Sequence, residues 1–209
     1  MNKVAVVIIT HNSASHIRSC LDAVVQLAPI ITVVDNCSED TTSDIIHEQF
    51  PQVELIQNTR NLGLATAFNN AVRKLAVPYY LFLNPDAILQ KSTLSALVSY
   101  LEQNSNVGIA GPQMLYPDGS LQYSCRTFPT LLTFLARGFG LTEKRRYVPQ
   151  FLKRHLMVSF DHSTPREVDW MLGACLLVRR EVFEDVGLFD EHFFLYYSDV
   201  DFCWRAWQK

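Results

Sequence analysis

The chain predicts an α/β fold built on a mostly parallel sheet, and three observations carry that expectation. Short apolar or β-branched runs alternate with segments of helical period over the first hundred residues. The intervals between runs are long enough for crossover helices, which parallel strands require. Polar turn residues close the carboxyl end of each run.

Residues 4–9 are the first such run, closed by Thr10, His11, Asn12 and Ser13, which offer caps to a helix carrying Ile17, Leu21, Val24 and Val25. A second strand over 30–34 ends at Asp35 and Asn36. Ser38, Asp40 and Thr41 are candidate caps for a helix carrying Ile45, Ile46 and Phe50. Residues 53–56 read as a third strand, closed by Gln57 and Asn58. Asn61, Leu62 and Gly63 turn into a helix over about 65–75, and 79–83 is a fourth strand. Ser92 and Thr93 open a helix through Leu101, followed by a fifth strand over 107–110. Beyond Gly111 and Pro112 the pattern changes. Residues 116–120 form a hairpin-type turn, and 128–166 read as a helical and loop-like excursion. Strand character returns at 168–171 and 174–178, a helix covers 180–186, and Ser198 or Asp199 caps a last helix carrying Phe202 and Trp204. One domain over 1–209 is expected, with a ligand-binding half at 1–111 and a second half at 112–209.

Composition bounds the class. Of 209 residues, 48% are hydrophobic and 19% charged, which suits a globular core. No run reaches the ~18 apolar residues of a spanning helix, and the N-terminal run is short, without a small-residue cleavage site. Cys20, Cys37, Cys125, Cys175 and Cys203 are widely spaced and contain no CxxC pair, so neither zinc nor a disulfide framework is supported. A reducing cytoplasm is the expected compartment. From Arg126 to Phe160, seven basic residues face one acid; that segment is +6 and the rest of the chain −9. Arg126, Arg137, Lys144, Arg145, Arg146, Lys153 and Arg154 therefore suggest either a solvated charge run or a surface that meets something anionic. Residues 131–135 add an apolar stretch beside it, which suits an anionic membrane or a diphosphate-lipid.

The chemistry is carried by carboxylates at strand ends. Asn84-Pro85-Asp86 directly follows the fourth strand, where open α/β folds bind ligands and where a hard divalent cation finds oxygen donors. A plain turn is the competing reading. Thr10 and Asn12 lie at the same predicted edge, without the glycine fingerprint of a dinucleotide site. Asp35 either accepts a hydrogen bond from a ribose or base, or caps the next helix. Asn61 and Gly63 either aim helix amides at phosphate or form a simple left-handed turn. Trp170 and Gly173 flank a late strand, and Asp199 and Asp201 open the last helix, where the dipole favours acids whatever their role.

Taken together, these segments resemble the inverting family 2 glycosyltransferases of the GT-A fold, particularly bacterial rhamnosyltransferase-like members. The match lies in 6–12, 34–40, 61–65, 83–86, 111–120, 168–174 and 187–201, in that order and spacing. The resemblance implies a Rossmann-like, mostly parallel sheet with a nucleotide-sugar-binding half and a C-terminal acceptor-side portion. It implies a dTDP- or UDP-sugar donor, rhamnose foremost, a glycan or lipid-linked acceptor, and no nucleic acid. Asp35 would contact the base, Asn84 and Asp86 would fill the Asp-x-Asp position with Asp86 on Mg²⁺ or Mn²⁺, and Asp199 would be the catalytic base. Thr10, Asn12, Asn61, Gly63, Trp170, Gly173 and Asp201 complete the expected substrate-binding set.

Two departures from the family pattern stand out: Ser198 replaces the usual Glu before the base, and no histidine of this chain matches the one that commonly completes the metal site. The sequence reading therefore expects a C-terminally incomplete catalytic domain in the cytoplasm, with peripheral contact at the inner face of the membrane. A nucleotide-sugar-binding module without catalysis is the alternative from another class. A pyrophosphorylase-like nucleotidyltransferase is disfavoured, because the early glycine-rich basic loop is missing.

Overall fold

The computed structural model describes residues 3–138 and 148–209. β1 (Val4–Thr10), β2 (Ile30–Asp35), β3 (Glu54–Gln57) and β4 (Tyr79–Leu83) run parallel, as the alternating pattern predicts. β5 (Ile109–Ala110) and β10 (Cys175–Arg179) complete a six-stranded sheet in the order β3-β2-β1-β4-β10-β5. β10 runs antiparallel to both β4 and β5. Its apolar sequence has no directional signal, because a strand buried on both faces reads the same either way. Its direction is set by where the chain re-enters the sheet after its long excursion.

Period-2 alternation along the strands divides the sheet into two cores. Val4, Val6, Ile8, Val33, Leu81 and Leu177 point to one face, covered by α1 (Ile17–Val24), α2 (Thr42–Gln49) and α4 (Thr93–Gln103). Ala5, Val7, Val34, Phe82 and Leu176 point to the other, covered by α3 (Leu64–Lys74), α7 (Arg180–Val186) and α8 (Ser198–Trp207). Phe82 anchors the second core: its ring lies 4.5 Å from Phe68 and 5.4 Å from Phe189, both edge-on. Phe189 in turn lies 4.4 Å from Phe202 of α8, so the last helix is fixed to the sheet through aromatic contacts.

Of the three side chains expected to cap α2, it is Asp40 that bonds the first helical amide. Neither Ser38 nor Thr41 caps α2; Asp40 instead accepts from the Thr42 amide at 3.0 Å and from the Ala14 amide at 3.1 Å, tying α2 to the loop after β1. α8 begins after Tyr197, a left-handed residue with φ 70°, so Ser198 is its first residue and Asp199 lies in its first turn. This sharp entry aims the start of α8 back at the sheet.

The excursion holds two small antiparallel pairs, β6 (Met114–Leu115) with β7 (Leu121–Gln122), and β8 (Cys125–Arg126) with β9 (Trp170–Met171). It also holds α5 (Leu131–Gly138) and α6 (Gln150–His155). The hairpin expected at 116–120 is present, with Gly119 at φ +82° and the Tyr116 amide donating to the Ser120 carbonyl at 2.8 Å. A boundary after residue 111 would cut the sheet, because β10 from the second half lies between β4 and β5.

Replacing Phe82, 1% exposed at the centre of this aromatic cluster, is the most direct test of the packing. Phe82→Ala is expected to lower unfolding free energy by about 3–5 kcal/mol in urea titration. A loss below about 1 kcal/mol would contradict the packing described, since truncation of a buried Phe costs more than that.

Candidate active site

The strand order reverses between β1 and β4: the chain moves outward through β2 and β3, then returns to the far side of β1. Adjacent connections diverge there and leave a crevice at the carboxyl ends of the strands. The register brings the predicted residues to this edge, with Thr10 beside Asp35, Asp35 beside Gln57, and Leu83 beside Cys175.

On the β1–β2 side, Asn12 (φ 51°) donates its amide to Ser38 Oγ at 2.9 Å and accepts from the Glu39 amide at 2.8 Å. Asp35 is 3% exposed and accepts from the hydroxyls of Ser38 and Ser43, each at 2.5 Å. Ser43 lies in the first turn of α2, so Asp35 does tether the next helix, one of its two expected roles. The Ser38 amide also donates to both carboxylate oxygens, at 3.2 and 3.4 Å, so most of the about four acceptor positions of this carboxylate are already filled. Thr10 is fully buried, and its Oγ1 has no partner within the described residues.

Asn36 is the residue the sequence reading passed over. Its side-chain amide donates to Asn61 Oδ1 at 2.8 Å and to the Gly63 carbonyl at 3.2 Å. Its carbonyl oxygen accepts from Asn58 at 3.1 Å and from the Leu62 amide at 2.9 Å. One buried amide therefore joins the loops after β2 and β3. The signal in the sequence was three asparagines, Asn36, Asn58 and Asn61, each at or just after a strand end.

Gly63 has φ +81°, and a Cβ there would sit 2.6 Å from the Phe194 carbonyl oxygen. The next amide, Leu64, donates to that same oxygen at 2.7 Å. This first-turn amide of α3 is thus held by the loop leading to α8, not free for a phosphate as one reading of Gly63 had it.

On the β4–β10 side, the Asn84 amide donates to the Ala174 carbonyl at 2.9 Å, extending the ladder past both strand ends. One residue earlier, the Gly173 amide donates to Asp199 Oδ2 at 3.0 Å, and the Val200 amide donates to Oδ1 at 2.9 Å. Asp199 is half-buried and oriented by two backbone donors. Asp86 is exposed and, among the described residues, takes part in no hydrogen bond or ion pair. It lies close enough to the Cys20 thiol to act on it: burial first, then the Asp86 charge, push that thiol up to about 12.

Two expected residues are committed elsewhere. Asp201 pairs with Arg205 at 2.8 Å, and Arg205 also donates to the Val186 and Leu188 carbonyls. Residues two apart on a helix point to different sides, which is why Asp199 and Asp201 do not share a site. Trp170 is 5% exposed and donates its Nε1–H to the Thr127 carbonyl at 2.9 Å, a packing role in the β8–β9 pair.

A cavity of about 1070 Å³ lies along β5 between α4 and Trp207, and of the predicted site residues only Trp170 is in its lining. Asp86 and Asp199 lie away from it, at the switch-point edge. A small cavity of about 30 Å³ reaches Asp199 from the apolar side, between Phe68, Phe82 and Ser198.

No cluster of three or more His, Cys, Asp or Glu side chains suited to a metal occurs among the described residues. Asp86 nevertheless fits Mg²⁺ or Mn²⁺ in a nucleotide site, since such ions take one or two carboxylates and complete their shell with phosphate and water.

The family model for "Glycosyl transferase family 2" matches residues 5–187. The chain is 30% identical to an N-acetylglucosaminyl-diphospho-decaprenol L-rhamnosyltransferase of Mycobacterium tuberculosis, over 94% of this chain and 67% of that protein. It is 26% identical to the dTDP-rhamnosyl transferase RfbF of Shigella flexneri, over 96% of this chain and 62% of that one. Among solved structures, the mannosyltransferase PcManGT of Pyrobaculum calidifontis, in complex with GDP-Man and Mn²⁺, aligns with a TM-score of 0.60 at 21% identity. That alignment covers 90% of this chain and 48% of the mannosyltransferase, and supports the shared fold. The mostly parallel sheet with β10 inserted antiparallel, the carboxylates at its switch point and the family match from β1 through α7 agree: the chain belongs to glycosyl transferase family 2, with the GT-A architecture and the activity of a glycosyltransferase.

Proposed function

We propose that this chain transfers rhamnose from a nucleotide-diphospho-sugar, dTDP-rhamnose foremost, to a hydroxyl of a glycan or lipid-linked glycan, inverting the anomeric carbon. The observation that carries the reading is Asp199, fixed by the Gly173 amide at 3.0 Å on the sheet edge that also presents Asp86. The rhamnosyltransferase relatives support the sugar, and the name of the Shigella relative supports the dTDP donor.

In this reading the loop of Asn12 and Asp35 receives the nucleoside, with Asp35 accepting from the base. Asp199 accepts the proton of the acceptor hydroxyl as its oxygen bonds to the anomeric carbon. The bond from that carbon to the diphosphate oxygen breaks on the opposite face. The amides of Gly173 and Val200 hold both carboxylate oxygens, so the base is positioned before substrate arrives. A divalent cation, held by Asp86 with Asn84, would neutralise charge on the departing diphosphate.

Two substitutions separate these roles. Asp199→Asn keeps an oxygen for the Gly173 amide but removes the proton acceptor. It is expected to leave donor affinity unchanged in calorimetry while lowering transfer about 10²–10⁴-fold. Wild-type turnover in that variant would remove Asp199 from the mechanism. Asp86→Ala is expected to abolish the Mn²⁺-dependent part of dTDP binding with no change in melting temperature. Undiminished metal dependence in the same titration would show that the ion is held elsewhere.

A further inference from the structure

α5 is built with its polarity reversed. It buries Thr133 and Ala136, each 4% exposed, and turns Leu131, Leu132, Phe134 and Leu135 outward at 76, 54, 57 and 47% exposure. The buried side is satisfied locally, since the Thr133 hydroxyl donates to the Thr130 carbonyl at 2.8 Å. Ordinary surface helices do the opposite, and clustered exposed apolar side chains of this size mark an interaction surface. The patch continues towards the candidate active site: the Phe134 ring lies 6.4 Å from that of Tyr197, two residues before Asp199. Tyr196, 75% exposed, extends it.

The neighbouring element supplies the charge. α6 packs against α5, buries Leu152 and His155, and exposes Lys153 and Arg154. Among the described residues neither cation has an acidic partner, and Lys144, Arg145 and Arg146 of the same basic segment lie outside the described residues. No described helix is long and apolar enough to cross a membrane.

We propose that the outward face of α5, flanked by Lys153 and Arg154, docks this chain on an anionic phospholipid bilayer. The leucines and Phe134 enter the boundary between headgroups and acyl chains, and the cations meet lipid phosphates. An apolar protein partner would not call for the adjacent uncommitted cations, whereas a bilayer interface uses both features. Docking would bring the bilayer beside the loop that leads into α8 and Asp199. The proposal stands independently of the transfer reading, because it concerns a surface, not the reaction.

The test is co-sedimentation with phosphatidylcholine vesicles, with and without phosphatidylglycerol, in the absence of sugar donor. The wild-type chain is expected to pellet with the anionic vesicles at low salt and to be released as salt rises. Lys153→Ala/Arg154→Ala should weaken partitioning about thirtyfold. Leu131→Ser/Leu132→Ser should weaken it about tenfold or more at any salt. Circular dichroism and dTDP affinity, unchanged in both variants, would show that only the surface was altered. Equal pelleting of wild type and both variants overturns the proposal. So does failure of the wild type to pellet together with self-association that the leucine variant abolishes, which would assign the patch to a second copy of this chain.

Discussion

The antiparallel pairing of β10 with β4 fixes the relative positions of the two carboxylates on which the proposed chemistry rests. Register pairs Cys175 with Leu83, and the ladder runs one step further through the Asn84 amide and the Ala174 carbonyl. The next residue, Gly173, gives its amide to Asp199. Asp86 follows β4, while Asp199 enters from a helix more than a hundred residues later in the chain. A one-residue slip of β10 would turn Leu176 and Leu177 to the wrong cores and move Gly173 off Asp199. Burial on both faces thus enforces the register, and the register places Gly173 against Asp199.

The loops around this edge differ in how far they are already committed. Asp35, Asn36 and Asn61 are tied into a network of short hydrogen bonds, and Gly63 is pressed against the Phe194 backbone. Asp86 is exposed and, among the described residues, has no hydrogen-bond or ion-pair partner. A nucleoside pocket benefits from rigidity because ordering it on binding costs free energy. A ligand to a cation benefits from an open shell, since the ion brings phosphate and water oxygens with it. The contact between Leu64 and Phe194 joins the start of α3 to the loop that leads into α8, coupling the nucleoside side to the base.

Much of this was legible in the sequence, for physical reasons. Buried parallel strands show as apolar runs closed by polar residues. The position of Thr10, Asn12, Asp35, Asn84 and Asp86 at the carboxyl edge of the sheet was legible that way. Asp199 was a candidate base from its place in a fold with Asp35 and Asp86 on one edge, and the family resemblance implied the same role. Acids in a first helical turn are nonetheless common for other reasons. The direction of β10 was not legible, because double burial erases alternation. The ion pair of Asp201 with Arg205 was not legible, because acids in a first helical turn give no view of their partners. The role of Asn36 was hidden because its partners lie in another loop. The apolar stretch at 131–135 stood out beside the basic segment as a membrane-contact candidate, but which side chains α5 buries depends on neighbours that the sequence does not place.

The match to glycosyl transferase family 2 spans residues 5–187, which include Asp35 and Asp86, and ends before Asp199. The central claim is that one base and one leaving group act from opposite sides of the sugar. The stereochemical course of transfer tests it most directly. Proton NMR of the first sugar product released or transferred from dTDP-rhamnose should show the anomeric configuration opposite to that of the donor. Retention of the donor configuration would contradict a single displacement with Asp199 as base, and with it the mechanism proposed for this site.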